Sequence, residues 1–268
     1  MRRLVAVATG AALLLTAASA AGSRTAPLPE PVACAGCWKP QPEARWQVQL
    51  SQPLARQAAA EVYDIDLFDN SATTIRSLHA RGGRAVCYLS AGTHESWRPD
   101  AAAVPSSLLG KPDWPGERWL DIRQRDALAP TIRRRLDLCK AKGFDGVEFD
   151  NVDGFVNDTG FALTADDQLR YNTWLANEAH RRGLAAVLKN DLQQAPQLRR
   201  YFDAVLAESC LRYDECRDLA PFTGLDKPAI DVEYEPVSGA DCGRLADLGI
   251  QVIRKHLSLS PWLWRPCN

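Results

Sequence analysis

The sequence predicts an α/β fold, a (β/α)8 TIM-type barrel in a single domain, and three observations carry that expectation. Eight short β-rich runs recur along the chain, amphipathic segments stand between them, and no glycine-rich dinucleotide fingerprint follows the first run. Strands that alternate with helices form parallel sheets, because a parallel pair needs a long crossover connection. Eight such units in about 210 residues suit a closed barrel better than an open doubly wound sheet.

The runs are Trp46–Leu50, Val62–Phe68, Arg84–Ser90, Gly146–Asp150, Ala185–Lys189, Ala204–Glu208, Ala229–Glu233 and Gln251–Lys255. Between them, Thr131–Lys142 sets Ile132, Leu136 and Cys139 on one stripe, and Asp166–Arg182 does the same with Leu169, Trp174, Leu175 and Ala179. That is the period of an amphipathic helix. Trp119–Arg123 is assigned to a long connection after the third strand. Ahead of the first strand, residues 1–20 have the form of a signal peptide: Arg2 and Arg3, an apolar stretch from Leu4 to Leu15, then Ala18-Ser19-Ala20. The stretch is shorter than the about 20 residues that span a bilayer. The expectation is a secreted protein, extracellular or periplasmic, without membrane attachment after cleavage. Residues 21–45 form a Pro-, Ala- and Gly-rich leader with Cys34 and Cys37, and 46–268 the barrel domain.

All 8 cysteines lie beyond the cleavage point, and an even number in an exported chain indicates disulfides. Losing Arg2 and Arg3 takes two of the 32 basic residues and moves the formal charge from −1 to −3. With no basic stripe either, nucleic acid is excluded as a partner. A monomer is expected.

Side chains two apart on a strand share a face, and in a barrel one face looks inward. Tyr63, Ile65 and Leu67 suit the helix side, which turns Asp64 and Asp66 inward; Val147 and Phe149 do the same for Glu148 and Asp150. Ile230 and Val232 on the helix side would turn Asp231 and Glu233 inward, and Glu208 shares the parity of Ala204 and Leu206. These acids come late in their strands, at the rim where barrels build active sites. Pairing with barrel cations such as Lys189, or helix capping, is the plain structural reading of Asp64, Asp66, Asp69 and Asp153. Asp64, Asp66, Asp69 and Asn70 offer hard oxygen ligands but lack a calcium-loop glycine and terminal glutamate, so neither metal nor cofactor is expected. The 4 histidines have no zinc spacing, and no serine sits in a nucleophile elbow. Paired carboxylates remain, the machinery of glycosidic cleavage. Tyr88, Trp97, Trp119 and Tyr234 stand near strand ends as stacking faces for sugar rings, and Lys189 and Asn190 as groups that bind hydroxyls or position a carboxylate. Lys189 beside Asp150 would keep that carboxylate ionised.

Five stretches carry a family resemblance: Tyr63–Asp69, Cys87–Gly92, Trp97-Arg98-Pro99-Asp100, Trp119–Arg123 and above all Gly143–Gly154. Leu188–Asp191, Glu208-Ser209-Cys210, Tyr213–Cys216 and Glu233-Tyr234 follow in order. The chain resembles glycoside hydrolase family 114, the endo-α-1,4-polygalactosaminidases. The resemblance implies a polysaccharide substrate cut internally at α-1,4-linked galactosamine, with Asp150 as nucleophile and Glu208 as acid/base. Phe149 and Ala207 depart from the proline and asparagine that relatives often carry. Asp64, Asp66, Tyr88, Trp119, Glu148, Asn151, Asp153, Lys189, Asn190, Glu233 and Tyr234 complete the expected substrate-binding set. An inactive carbohydrate-binding barrel, or an enzyme acting on another amino-sugar polymer, stays open as an alternative. For the cysteines, Cys210 with Cys216 would brace the loop beside Glu208, Cys87 has helix-side parity toward Cys139, and Cys242–Cys267 and Cys34–Cys37 follow by elimination.

Overall fold

A computed structural model describes residues 27–55 and 60–267, so the signal-peptide reading at 1–20 lies outside the described residues. Strands β1 (Trp46–Gln49), β2 (Val62–Asp66) and β3 (Arg84–Ser90) pair in parallel, with helix α1 (Ala72–His79) crossing between the second and third. After β3 the chain leaves the barrel. It builds a small antiparallel sheet from β4 (Thr93–Glu95), β5 (Leu109–Pro112) and β6 (Glu117–Leu120), in the order β4-β6-β5, and returns through α2 (Arg125–Lys142). The expected connection at Trp119–Arg123 is therefore partly a strand, but of this outer sheet.

The barrel resumes with β7 (Gly146–Asp150), α3 (Ala165–Arg181), β8 (Ala185–Lys189), α4 (Ala195–Leu198), β9 (Ala204–Glu208), α5 (Cys210–Tyr213), α6 (Ala220–Thr223), β10 (Ala229–Glu233), α7 (Gly239–Asp247) and β11 (Ile250–Arg254). Each strand pairs in parallel with the next, β3 with β7 included, which gives the (β/α)8 TIM-type architecture. Among the described residues the parallel ladder runs from β1 to β11 without joining its ends. Side chains and the C-terminal segment bridge that seam: Lys255 Nζ donates to Gln47 Oε1 at 2.9 Å, Trp264 Nε1 to the Trp46 carbonyl at 2.9 Å, and β12 (Arg265–Pro266) lies antiparallel on β11.

Strand alternation divides the apolar residues into two cores. The barrel interior is filled by Trp46, Val48, Val62, Val86, Val187, Ala204, Leu206, Ile230, Val232 and Ile253. The opposite faces, among them Ile65, Cys87, Val147, Phe149 and Val205, pack on the helices. Fully burying one such aliphatic side chain stabilises the fold by roughly 1.5–3 kcal/mol, so a strand's orientation is decided by which face fits which core. Cys87–Cys139 ties β3 to α2, Cys210–Cys216 closes the α5 loop, and Cys34–Cys37 and Cys242–Cys267 complete the four expected bridges.

The leader is held by more than its cysteines. Val32 donates to Asn177 Oδ1 at 2.7 Å, its carbonyl meets His180 Nδ1 at 3.0 Å, and Tyr201 donates to the Pro29 carbonyl at 2.6 Å. These contacts account for the burial of Asn177 and His180 on α3.

Candidate active site

Three adjacent strands converge on one cation. Asp150 ends β7, Lys189 ends β8 and Glu208 ends β9. Lys189 Nζ lies 3.0 Å from Asp150 Oδ1 and 2.7 Å from Glu208 Oε2. The two carboxylates thus straddle the intervening strand, and their bridged oxygens lie no more than two hydrogen-bond lengths apart, under about 6 Å, which admits the about 5–5.5 Å of a retaining glycosidase pair. Each carboxylate has a phenol on its other oxygen: Tyr88 donates to Asp150 Oδ2 at 2.9 Å, and Tyr234 donates to Glu208 Oε1. Exposure rises from Lys189 at 7% through Asp150 at 16% to Glu208 at 28%, so Glu208 is the member best placed to meet water.

The backbone around the pair is tightly determined. β7, β8 and β9 are each followed by residues with positive φ, Asn151 at 59°, Asn190 and Asp191 at 49° and 48°, and Ser209 at 59°. Non-glycine residues hold such conformations only where surrounding contacts over-determine them. Here the contacts are visible. Ala91 and Gly92 donate their N–H groups to the Asp150 carbonyl at 3.0 and 3.3 Å, and Ser90 Oγ donates to Asn151 Oδ1 at 2.7 Å. A Cβ at position 92 would meet the Asn151 carbonyl oxygen at 1.7 Å, so only glycine lets β3 clamp the Asp150 turn. Asn190 Oδ1 accepts the Glu208 N–H at 3.0 Å and so ties the end of β8 to the residue that carries the second carboxylate.

Charge balance sets the protonation states. Burial would raise Asp150, but the Lys189 charge, hydrogen bonds from Lys189 and Tyr88, and the Asn151 backbone outweigh it and hold the carboxyl below its usual range. Burial likewise opposes the charge of Lys189, yet Asp150, Glu208 and Glu148 raise it well above the ordinary lysine value. Beneath them, burial pushes Asp64 up to about 7, and burial together with the neighbouring Asp64 charge pushes Glu148 well up. Neither Asp64 oxygen meets an amide or cationic donor among the described residues, and two adjacent buried carboxyl groups disfavour carrying two charges.

The rim forms a cleft in two halves that meet at Glu208, Tyr234 and Leu257. One half, about 510 Å³, contains Asp150 and is walled by the exposed Trp97 and Trp114 with Asp113 and Glu117; the other, about 530 Å³, is lined by Asp153, Asn190, Asp191, Tyr213 and Glu215. Burial raises Glu117 to about 7 and Asp153 to about 6. A larger surface hollow of about 810 Å³ between α2 and α3 lies away from this rim, and its Glu178 is spent on Arg133, Arg181 and Arg182. One grouping of metal-type ligands occurs among the described residues, Cys210, Cys216 and Asp231, and its sulfurs are bonded to each other.

Tyr88, Glu148, Asp150, Asn151, Asp153, Lys189, Asn190, Glu208 and Tyr234 all reach this cleft. Four expectations are corrected. Glu233 faces outward, because Ile230 and Val232 occupy the inner core; its Oε1 accepts the Leu211 N–H at 2.9 Å while Asp231 accepts that of Cys210 at 3.1 Å. Trp119 is 5% exposed within β6 and offers no free face. Asp64 is fully buried below the cleft. Asp66 lines it but is spent on Arg98 at 2.6 Å, which also grips Glu95 bidentately at 2.7 and 2.6 Å. The Tyr63–Asp69 and Trp97–Asp100 motifs thereby brace each other, with Arg135 holding Asp100 at 2.8 Å. Asp113, Trp114, Glu117, Asp191 and Tyr213 also line the cleft, and strand parity does not single them out. The Pro115-Gly116 turn signal marks the hairpin that carries the first three, but nothing local says that this hairpin folds back over the barrel mouth.

The family model described as glycoside-hydrolase family GH114 matches residues 29–267. The solved structure of Aspergillus fumigatus Ega3 in complex with galactosamine is similar at 34% identity and a TM-score of 0.80, covering 87% of this chain and 98% of that one. The glycoside hydrolase domain of PelA from Pseudomonas aeruginosa shares the fold at 15% identity and a TM-score of 0.64, over 82% of this chain and 97% of that one. Among curated proteins none matches.

Proposed function

The chain belongs to glycoside-hydrolase family GH114, and from that premise we propose that it cleaves α-1,4-linked galactosamine-containing polysaccharide internally, with Asp150 as nucleophile and Glu208 as acid/base. The observation that carries the assignment is the single Lys189 nitrogen within 3.0 Å of both carboxylates, on flanking strands, with Glu208 where the two cleft halves meet.

Asp150, kept ionised, attacks the anomeric carbon while Glu208 gives its proton to the departing oxygen. The negative charge thereby passes from Asp150, now an ester, to Glu208. Lys189 touches both groups and stabilises whichever is charged, so the active site need not reorganise between the two half-reactions. In the second step Glu208 takes a proton from water, the resulting hydroxide attacks the same carbon, and Asp150 leaves as carboxylate.

A cleft with one half on each side of Glu208 suits cutting within a chain, and exposed Trp97, Trp114 and Tyr213 give flat faces for successive rings. The surplus of rim carboxylates suits a polymer carrying ammonium groups. Four disulfides fit an oxidising compartment and support our reading of the protein as secreted. Incubation with a partially deacetylated α-1,4-galactosamine polymer, followed by mass analysis, tests the proposal. A ladder of internal fragments is expected; intact polymer, or loss of acetyl groups alone, would overturn it.

A further inference from the structure

We infer that the cleft half beyond Glu208 is the leaving-group side of the site, and that Asp153 and Asp191 there select a sugar bearing a free ammonium. The inference rests on the proposed roles of Asp150 and Glu208. Asp150 lines the half walled by Trp97 and Trp114, whereas Glu208 lines both halves. A chain threaded through the cleft places the sugar attacked by Asp150 in the first half. The sugar whose oxygen Glu208 protonates then lies in the second.

That second half holds carboxyl groups with too few donors. Asp191 is 4% exposed; its Oδ2 accepts from Asn172 Nδ2 at 2.7 Å, and its Oδ1 is buried without a partner among the described residues. Asp153 accepts from Asn157 Nδ2 at 3.2 Å and raises Asp191 electrostatically. Glu215 and Glu208 add two more acids, against Arg212, which stacks on Tyr213; Lys189 lines the other half and is already bridged. A buried carboxyl oxygen without a donor destabilises the fold, and an ammonium supplies both the missing hydrogen bond and the opposite charge. An N-acetyl group supplies one N–H and no charge. Burial, with Asp153 beside it, raises Asp191 to about 9, so the free enzyme carries it as the acid at neutral pH. When an ammonium docks, the Asp191 proton leaves to solvent and the carboxylate pairs with the ligand.

Hydrolysis records each side separately, because the sugar on the leaving side becomes the new non-reducing end and the attacked sugar the new reducing end. Partially acetylated α-1,4-galactosamine oligomers are cleaved and the new ends of each product sequenced by mass spectrometry. The wild type should leave free-amine sugars at new non-reducing ends about tenfold over their share in the substrate, the size of one charged hydrogen bond. Asp191→Asn, isosteric with the protonated acid, and Asp153→Asn should each cut that enrichment to about twofold or less and leave the reducing ends unchanged. A mere loss of folding slows the reaction without altering the end composition. Random or acetylated non-reducing ends in the wild type, or variants that alter the reducing ends instead, would overturn the inference. A wild type that cuts none of these oligomers would instead refute the proposed function.

Discussion

Two strands carry the same alternation of acids and aliphatics and put it to opposite uses. In β7, Val147 and Phe149 pack on the helices and Glu148 and Asp150 look into the barrel; in β10, Ile230 and Val232 fill the barrel and Asp231 and Glu233 look outward. Inside, the acids need a cation, and Lys189 supplies it. Outside, they accept the N–H groups of Cys210 and Leu211, where the first turn of α5 leaves its donors open. Alternation therefore reveals that a strand has two faces, while the volume available on each side decides which one turns in. Tyr234, one residue beyond Glu233, inherits the inward parity and reaches Glu208.

The largest separation between the two strands should appear in activity. Glu208→Gln should lower kcat by about 10²–10⁴-fold, the range of general acid–base catalysis, and Asp150→Asn by at least as much, both with little change in Tm. Glu233→Gln should keep activity within about twofold and cost about 1 kcal/mol of stability through a weakened bond to Leu211. A Glu233→Gln variant as dead as Glu208→Gln in a steady-state assay would erase the contrast.

Lys189→Met sharpens the comparison from the other side. Two carboxylates, each mostly buried, lose their shared cation, and the loss should cost about 3–5 kcal/mol in denaturant unfolding. Because Lys189 holds Asp150 below its usual range, the acidic limb of the kcat/KM profile should also move to higher pH. An unmoved limb would show that the lysine only packs.

The disulfides should divide the same way. Cys87–Cys139 spans 52 residues and Cys210–Cys216 spans 6. On the loop-entropy relation their removal costs about 4 and about 2 kcal/mol. Opening the short bridge should reduce activity beyond its share of stability, since its loop carries Tyr213 and Glu215 to the cleft.

The smallest effect is a slope. Asp231 titrates near 3.8 when unfolded and is raised by burial to about 8 in the fold, so its contribution is complete below 3.8 and fades as pH rises to about 8. Asp231→Asn, which mimics the protonated form, should flatten the fall of Tm across that window. An unchanged slope would assign the fall to other groups.

Much of this was legible in the sequence because it depends on period. The eight barrel strands, the inward turn of Asp150 and Glu208, and the Cys87–Cys139 bridge all follow from parity on single strands. The errors mark where local pattern ends. β10 presents apolar residues at alternate positions, which fit a core on either side. Trp119 lies in a strand of the outer sheet that covers it, and Asp66 was met by Arg98, 32 positions away and without a local pattern to announce the pairing. Asp113 and Trp114 reach the cleft only because their hairpin folds over the mouth, a long-range placement that hydrophobic periodicity does not encode.

Trapping the covalent intermediate is the most direct measurement of the central claim, that Asp150 and Glu208 act as nucleophile and acid/base across Lys189. A 5-fluoro-galactosaminyl fluoride should inactivate the enzyme and add one sugar mass to the peptide containing Asp150, and Asp150→Asn should take up no label. Label on Glu208, or undiminished hydrolysis by Asp150→Asn, would contradict the account.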